Sequence, residues 1–497
     1  MATSMVKERI SGPAREFIST KKRLFIDGEW VDSISGKTFS TIDPATGEVL
    51  CEVSEAGAED VDRAVKAARR SFDDGRWSDL SPHKRARVLL KIATLIDEHR
   101  QELAELETLD NGKPLAQATG EMVAVAETFR YYAGWANKIY GDTNPTAANM
   151  FSYTLREPVG VCGQIIPWNF PAVMAAWKIA PAIAFGNTVV LKPAEQTPLT
   201  ALRLAELCSE AGLPKGVVNV VTGPGSTGAA IVEHPEVDKI AFTGSTEVGR
   251  QIMCSAAQTL KRVSLELGGK SPNIVLADSD LDAAAQACLW GIFANAGQIC
   301  TAGSRLLVQE SIHDALLERL ENAVSQFKLG HGLDPGTTMG PVVSKEQYER
   351  VTGFIEKGKE EGARLVRGGG KPKDPSIPPG YFVEPTIFDE VDNRMTIAQE
   401  EIFGPVLSVI PFKGSEDAIR LANDVIYGLA AAVWTNDIKK AHRLARAIRA
   451  GTVWINTYNV TDLAVSFGGY KQSGFGRELG KYSIDLYTQV KSVFVQL

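Results

Sequence analysis

Val159-Gly-Val-Cys-Gly-Gln-Ile-Ile166, Thr188-Val-Val-Leu191, Val217-Val-Asn-Val-Val221, Lys239-Ile-Ala-Phe242 and Arg262-Val-Ser-Leu265 are short apolar runs that follow one another at near-regular intervals. The segments between them, 173–185, 198–211, 226–233 and 246–257, read as helices. Short buried strands alternating with helices make a parallel sheet covered on both faces. A second series follows Gly269, with strands expected at 273–276, 305–308, 406–410, 430–434 and 453–455. Helices are expected with them at 281–294, 313–327, 344–360, 415–425 and 437–448. The fold class is therefore α/β, with two doubly wound lobes that part near Gly268-Gly269.

The chain ahead of these lobes is mostly helical in pattern. Residues 1–20 read as a loosely held arm and 23–28 as a strand ending in a turn. Apolar positions 61, 64, 65, 67 and 68 mark an amphipathic helix. Ser81-Pro82 opens another that runs to about 108, where Asp110-Asn111-Gly112 stops it. A further helix is expected over 121–139, and the Gly/Pro-rich stretch 366–380 as a surface loop. Phe151-Ser-Tyr-Thr-Leu155 and Ser492-Val-Phe-Val495 are strands outside both series, and the last of them needs an edge to pair with.

A chain of 497 residues with 44% hydrophobic and 23% charged residues has an ample core. A net charge of −7 argues against a nucleic-acid surface. The six cysteines form no C-x-x-C pair and the six histidines show no metal-ligand spacing, so reduced thiols in the cytoplasm and no metal are expected. Residues 1–10 lack the apolar region of a secretory leader, and no apolar run is long enough to span a membrane.

The chemistry-bearing stretch is Phe293-Ala-Asn-Ala-Gly297-Gln-Ile-Cys300-Thr-Ala-Gly-Ser-Arg305. Its Cys lies on a Gly-Gln turn between a helix and a strand, where a thiol is presented rather than packed. Leu265-Glu266-Leu267-Gly268-Gly269-Lys270 sets a carboxylate before two glycines, and Pro167-Trp168-Asn169-Phe170-Pro171 offers an amide donor. A thiol, a carboxylate base and an amide are the parts of chemistry through a thioester. Gly223-Pro-Gly225-Ser-Thr-Gly228 follows a strand and opens a helix. Alone it fits a nucleotide loop and a plain strand-turn-helix equally. Phe242-Thr-Gly244-Ser245-Thr246 repeats that context, with a helix N-terminus suited to a pyrophosphate. Lys192 and Glu195 end a parallel strand, where they could reach ribose hydroxyls; a carboxylate there repels a 2′-phosphate and favours NAD over NADP, without barring NADP.

Together with Glu401-Ile-Phe403-Gly-Pro405 and Phe467-Gly-Gly-Tyr470, these motifs resemble the NAD(P)-dependent aldehyde dehydrogenase superfamily from about Leu24 to Val495. The likeness is to its tetrameric class 1/2 members and bacterial phenylacetaldehyde-type relatives. It implies a Rossmann-like NAD-binding domain over 1–138 and 158–268, a catalytic domain over 269–483, and a small β element for oligomerisation over 139–157 and 484–497. It implies an aldehyde oxidised to a carboxylic acid, with Cys300 as nucleophile, Glu266 as general base, Asn169 and the Cys300 backbone as oxyanion donors, and Glu478 in a proton relay. Ile165, Pro167, Trp168, Lys192, Glu195, Gly225, Gly228, Phe242, Gly244, Ser245, Leu267, Glu401 and Phe403 would hold the cofactor. Phe170, Met174, Trp177, Ile299, Thr301 and Phe467 would line the substrate funnel, although 170, 174 and 177 are also a core-like helical stripe. A homotetramer, built as a dimer of dimers, is expected.

An aromatic funnel with no placed Arg or Lys suits neutral aliphatic or aryl aldehydes; a betaine-type or other specialised aldehyde is the alternative. Ile299 and Thr301 stand where relatives carry extra cysteines, Ser466 where a Pro is frequent, and Gln489 where tetrameric relatives often have a Glu paired to arginines matching Arg262 and Arg477. A softer subunit contact follows from Gln489. A CoA-acylating dehydrogenase would not need Glu266 to activate water, and a non-catalytic homologue would not need Cys300, Glu266 and Asn169 together.

Overall fold

The computed structural model describes residues 5–497. Its first lobe is built on an eight-stranded sheet whose middle runs Arg262–Glu266, Lys239–Thr243, Val161–Ile165, Thr188–Lys192, Val218–Val220, all parallel. Chain order reverses between Val161–Ile165 and Lys239–Thr243. The crevice beyond the carboxyl ends of parallel strands at such a reversal is where open α/β sheets take ligands. Leu24–Ile26 and Glu29–Val31 extend one edge antiparallel, and Gly474–Phe475 closes the other against Arg262–Glu266.

The second lobe has a seven-stranded sheet in the order Arg364–Arg367, Thr386–Asp389, Val406–Phe412, Arg305–Gln309, Pro272–Val275, Ala430–Trp434, Thr452–Ile455. Only the outermost pair, Arg364–Arg367 with Thr386–Asp389, is antiparallel. The chain leaves the first sheet at Glu266 and enters the second at Pro272, so the carboxyl ends of the first sheet's parallel strands and the amino ends of the second's face the Gly268-Gly269 crossing. Arg364–Arg367 and Thr386–Asp389 were not expected. The first starts the Gly/Pro-rich stretch and the second is four residues after Pro385, too short for a period to register.

Several expectations are corrected. The helix expected from Ser81 to 108 is two, Pro82–Glu98 and Arg100–Asn111, broken at His99, whose ring pairs with Glu102 at 2.7 Å. Gly112, at φ +93°, ends the second in the left-handed conformation. The helix expected over 121–139 is Leu115–Trp135. Residues 1–4 of the expected arm lie outside the described residues, and the rest is anchored. Helix Gly12–Ile18 buries Ala14 and Ile18 in the main core, and Ser11 donates to Glu105 at 2.6 Å. An antiparallel hairpin, Thr38–Ile42 with Val49–Ser54, also went unread.

The carboxyl-terminal strand Thr488–Gln496 finds its edge in its own chain, pairing along its length with Met150–Pro158. Helix Ile484–Tyr487 delivers it there, since Tyr487 accepts from the Val159 backbone at 3.4 Å and from Asn187 at 3.0 Å. Its other edge has no strand partner among the described residues and exposes Val490, Phe494 and Val495.

Gln489 accepts from Arg262 at 3.4 Å within the chain, while Arg477 turns to the Gly469 carbonyl at 3.1 Å. We expect Gln489→Glu to turn the Arg262 contact into an ion pair contributing about 0.2–1 kcal/mol. The urea midpoint should rise slightly at low salt and the gain should vanish at about 1 M salt; no rise at low salt contradicts this.

Candidate active site

Cys300 sits between helix Leu281–Phe293 and strand Arg305–Gln309, on a turn wound the unusual way. Asn295, Ala296 and Gly297 are consecutive left-handed residues at φ +47°, +53° and +74°. For Ala this conformation costs about 1–3 kcal/mol, so the surroundings must impose it. They do so through Gln298, which is fully buried. Its side chain accepts from the Val343 backbone at 2.9 Å and donates to the Asn295 carbonyl at 3.0 Å. Gly297 is required on a second count, because a methyl there would overlap the Gly404 carbonyl.

The Pro167–Asn169 loop leaves strand Val161–Ile165 and meets this turn directly. The Asn169 side-chain amide donates to the Gln298 carbonyl at 2.9 Å, and the Asn169 carbonyl accepts from Asn295 at 3.1 Å and from Lys113 at 3.0 Å. Asn111 holds the Trp168 carbonyl at 2.8 Å. An amide nitrogen carries two hydrogens, so Asn169 keeps one for a ligand. Asn111, Lys113, Asn295 and Gln298 went unread as site residues. Asn111 read as a helix stop and Gln298 as a turn, and nothing local says that they bond to a loop far away in sequence.

Glu266 ends strand Arg262–Glu266 and is only 3% exposed, yet neither of its carboxyl oxygens has a hydrogen-bond partner among the described residues. Burial first, and the charge of Glu478 second, hold its pKa well above the usual carboxylate range, against the opposite pull of Lys178 and Arg477. Glu478 accepts from the fully buried Lys178 at 2.7 Å, and Lys178 also bonds Thr243 at 2.6 Å. Glu401 accepts from the Gly269 backbone at 2.8 Å, and burial pushes its carboxyl up to about 7. A methyl on Gly268 would overlap the Glu401 carboxylate, and one on Gly269 the Cys300 carbonyl. The paired glycines let three functional segments close on one point. Burial also pushes the Cys300 thiol up to about 12; Glu401 and Glu266 add to this, and the backbone N–H groups of Thr301 and Cys300 oppose it.

The expected cofactor residues lie along the reversal crevice. Ile165 and Lys192 touch the helix Gly225–Glu233, coming within 3.4 and 3.5 Å of where a Gly228 side chain would start, while Gly225 faces open space. Lys192 is buried, which lowers its pKa, and pairs with the half-exposed Glu195 at 3.2 Å. Ser245 caps helix Thr246–Ala256 by accepting from Val248, the Phe242 ring packs under Gly244, and Leu267 packs under Gly249. Trp168 meets Phe403 edge-on at 5.2 Å, with Phe403 held at φ +61°.

Phe170, Met174, Trp177, Ile299, Thr301 and Phe467 all line one cavity of about 540 Å³, together with Cys300, Glu266, Leu267 and Glu478. Trp177 and Phe467 meet edge-on at 5.4 Å. Asn459, Thr461, Asp462 and Leu463 complete its wall, and Asn459 pairs with Thr301 at 2.8 Å. This loop carries no periodic signal, so sequence reading passed over it. Among the described residues no group of three or more His, Cys, Asp or Glu is placed to hold a metal ion, and no helix is long and apolar enough to cross a membrane.

A family model described as "Aldehyde dehydrogenase family" matches residues 30–493. The chain belongs to the aldehyde dehydrogenase family. The human mitochondrial aldehyde dehydrogenase is 52% identical over 96% of this chain and 92% of its own. The Bacillus subtilis protein DhaS is 54% identical over 97% of both chains. The NAD⁺ complex of a Bacillus cereus aldehyde dehydrogenase superposes with a TM-score of 0.96 at 52% identity, covering 98% of this chain and 99% of that one.

A thiol so disfavoured as thiolate should be slow to alkylate. We expect the rate of iodoacetamide labelling at Cys300 in the protein alone, followed on its tryptic peptide, to keep rising above pH 9. A plateau below pH 8 contradicts the burial argument.

Proposed function

We propose that this member of the family oxidises aldehydes to carboxylic acids with NAD⁺, on the Cys300 thiol at the floor of the aromatic cavity. The observation that carries the reading is the convergence of the Cys300 turn, the unpartnered Glu266 carboxyl and the spare Asn169 hydrogen on one cavity. The first lobe, 1–138 with 158–268, is read as the NAD-binding domain and 269–483 as the catalytic domain.

The residues of the crevice fit the dinucleotide. Gly225 leaves space at a helix N-terminus, Glu195 reaches out beside Lys192, and Glu401 keeps one carboxylate oxygen beyond its bond to Gly269. Ile165, Pro167, Trp168, Lys192, Gly228, Phe242, Gly244, Ser245, Leu267 and Phe403 form the rest of that groove. A free carboxylate at Glu195 suits ribose hydroxyls and opposes a 2′-phosphate, hence NAD over NADP.

The chain's own chemistry starts at Glu266. A carboxyl with a raised pKa is a better base at neutral pH than an ordinary one, and it takes the thiol proton as the Cys300 sulfur bonds to the aldehyde carbon. The Asn169 amide and the Cys300 N–H receive the oxyanion, an arrangement typically worth ~10²–10³ in rate per donor. NAD⁺, when bound, accepts the hydride that turns the thiohemiacetal into a thioester. Glu266 then activates the water that cleaves this thioester and frees the acid, and Glu478 with Lys178 offers its proton a buried route out. Water as acyl acceptor, rather than CoA, follows from that base.

A homotetramer, as a dimer of dimers, is supported by the exposed apolar edge of Thr488–Gln496. Six free cysteines suit the reducing cytoplasm. With the purified protein, NADH should form from NAD⁺ and hexanal without CoA. Cys300→Ser should abolish it, and Glu266→Gln should lower it by ~10²–10⁴. The base form is lost as pH falls through the raised pKa of Glu266, so the acid limb of kcat/KM should lie well above the usual carboxylate range. An acid limb at about 4.5, or full activity in Glu266→Gln, overturns the assignment.

A second outcome is expected at the glycine pair. Gly269→Ala must displace the Cys300 backbone and should cut kcat by at least ~100-fold, as about 1 Å of misplacement does. Gly353→Ala, in open space on helix Lys345–Glu360, should stabilise the protein by about 0.5–1 kcal/mol. Wild-type turnover in Gly269→Ala contradicts the packing argument.

A further inference from the structure

The substrate cavity is apolar at its sides and acidic at its mouth. Phe170, Val173, Met174, Trp177, Leu463 and Phe467 make the walls. Glu121 and Glu127, from helix Leu115–Trp135, and Asp462, from the loop after strand Thr452–Ile455, line the same space, and no Lys, Arg or His does. Ala124 lies between the two glutamates on the lining and leaves room in front of them.

The nearby cations cancel these carboxylates only in part. Lys113 is shared between Glu107 at 3.3 Å and Glu121 at 2.6 Å. Arg130 is shared between Asp97 and Glu127, which it meets at 2.7 Å, and Arg100 also pairs with Asp97, so this group is balanced. Among the described residues the Asp462 carboxylate accepts only a backbone bond, from Ala464 at 2.7 Å. Negative charge is left in excess at the Lys113 group and at Asp462, although burial pushes the Glu121 carboxyl up to about 7. Deeper in the cavity, Glu266 is a second and independent sign of a ligand, being nine-tenths buried and more with both oxygens unpartnered.

On the reading of the cavity as an aldehyde site, we infer that it selects aldehydes that carry a cationic nitrogen at the far end of a short apolar chain. The carbonyl lies at Cys300, the methylenes lie along the aromatic walls, and the ammonium or quaternary ammonium sits among Glu121, Glu127 and Asp462. Phe467 and Trp177 add aromatic faces along the way, which suit an alkylated cation. An anionic aldehyde is repelled at the mouth. The expectation of a neutral substrate took in the aromatic walls and the missing Arg and Lys, but not the carboxylates beyond them.

The test compares two aldehydes of one shape, 4-(trimethylammonio)butanal and its carbon isostere 5,5-dimethylhexanal, with NAD⁺ and the full-length protein. Expected is a kcat/KM at least about tenfold higher for the cation at low salt, carried mainly by KM. That ratio should shrink as salt rises, because the mouth is open to solvent. It should also collapse in Asp462→Asn with Glu127→Gln, two changes that keep the Ala464 and Arg130 hydrogen bonds possible. A neutral isostere used equally well or better overturns the inference, as does a ratio indifferent to salt. If the double variant does not fold, the salt dependence of the wild-type ratio decides alone. Acetaldehyde serves as the control for the underlying reading. Turnover of acetaldehyde with no preference for the cation defeats the inference only, and no turnover of any aldehyde defeats both.

Discussion

The hydrogen bond from the Asn169 amide to the Gln298 carbonyl, 2.9 Å long, joins the loop that ends a strand of the first sheet to the turn that presents Cys300 from the second. Everything else at the site is arranged around that junction. Lys113, Asn111 and Asn295 fasten the same two segments from behind, and Gln298 is itself locked by Asn295 and Val343. Buried polar networks of this kind are costly when half-made and rigid when complete. Here every link holds a backbone carbonyl or N–H of the site, so the network sets the position of a thiol and an amide rather than merely filling a core.

The junction also explains where the glycines and the strain lie. Three segments, carrying Glu266, Cys300 and Glu401, approach more closely than side chains permit, and Gly268, Gly269 and Gly297 are the points of contact. The left-handed Asn295–Gly297 run is the backbone cost of turning the thiol outward from the end of a helix. Water is largely kept from the carboxylates that gather there. Their raised pKa values follow from that exclusion.

Local pattern made much of this legible. The parallel strands of the first sheet, the paired glycines and the Cys300 turn each leave a signature within a few residues, and the cavity brings Phe170, Met174, Trp177, Ile299, Thr301 and Phe467 to one surface. What escaped is what depends on distant partners. Asn111 ends a helix and read as punctuation, and Lys113 just past it went unread, although both hold a loop some fifty residues on. Thr386–Asp389 was too short to show a period, and the Asn459–Leu463 loop has none. Residues 5–20 look dispensable in composition, and only the packing of Ala14 and Ile18 shows otherwise. The carboxyl-terminal strand was recognised, but which edge it pairs with is a matter of tertiary geometry.

The most direct measurement is to trap the covalent intermediate. The wild-type protein, with Glu266→Gln beside it, would be mixed with NAD⁺ and hexanal, quenched in acid within milliseconds and mapped by peptide mass spectrometry. The account requires a burst of hexanoyl group on the peptide carrying Cys300, a burst that Glu266→Gln lacks because the thiol has lost its base, and none on the peptide carrying the exposed Cys254. NADH formed in the wild type with no acyl group on Cys300, or with the label on another cysteine, would contradict it.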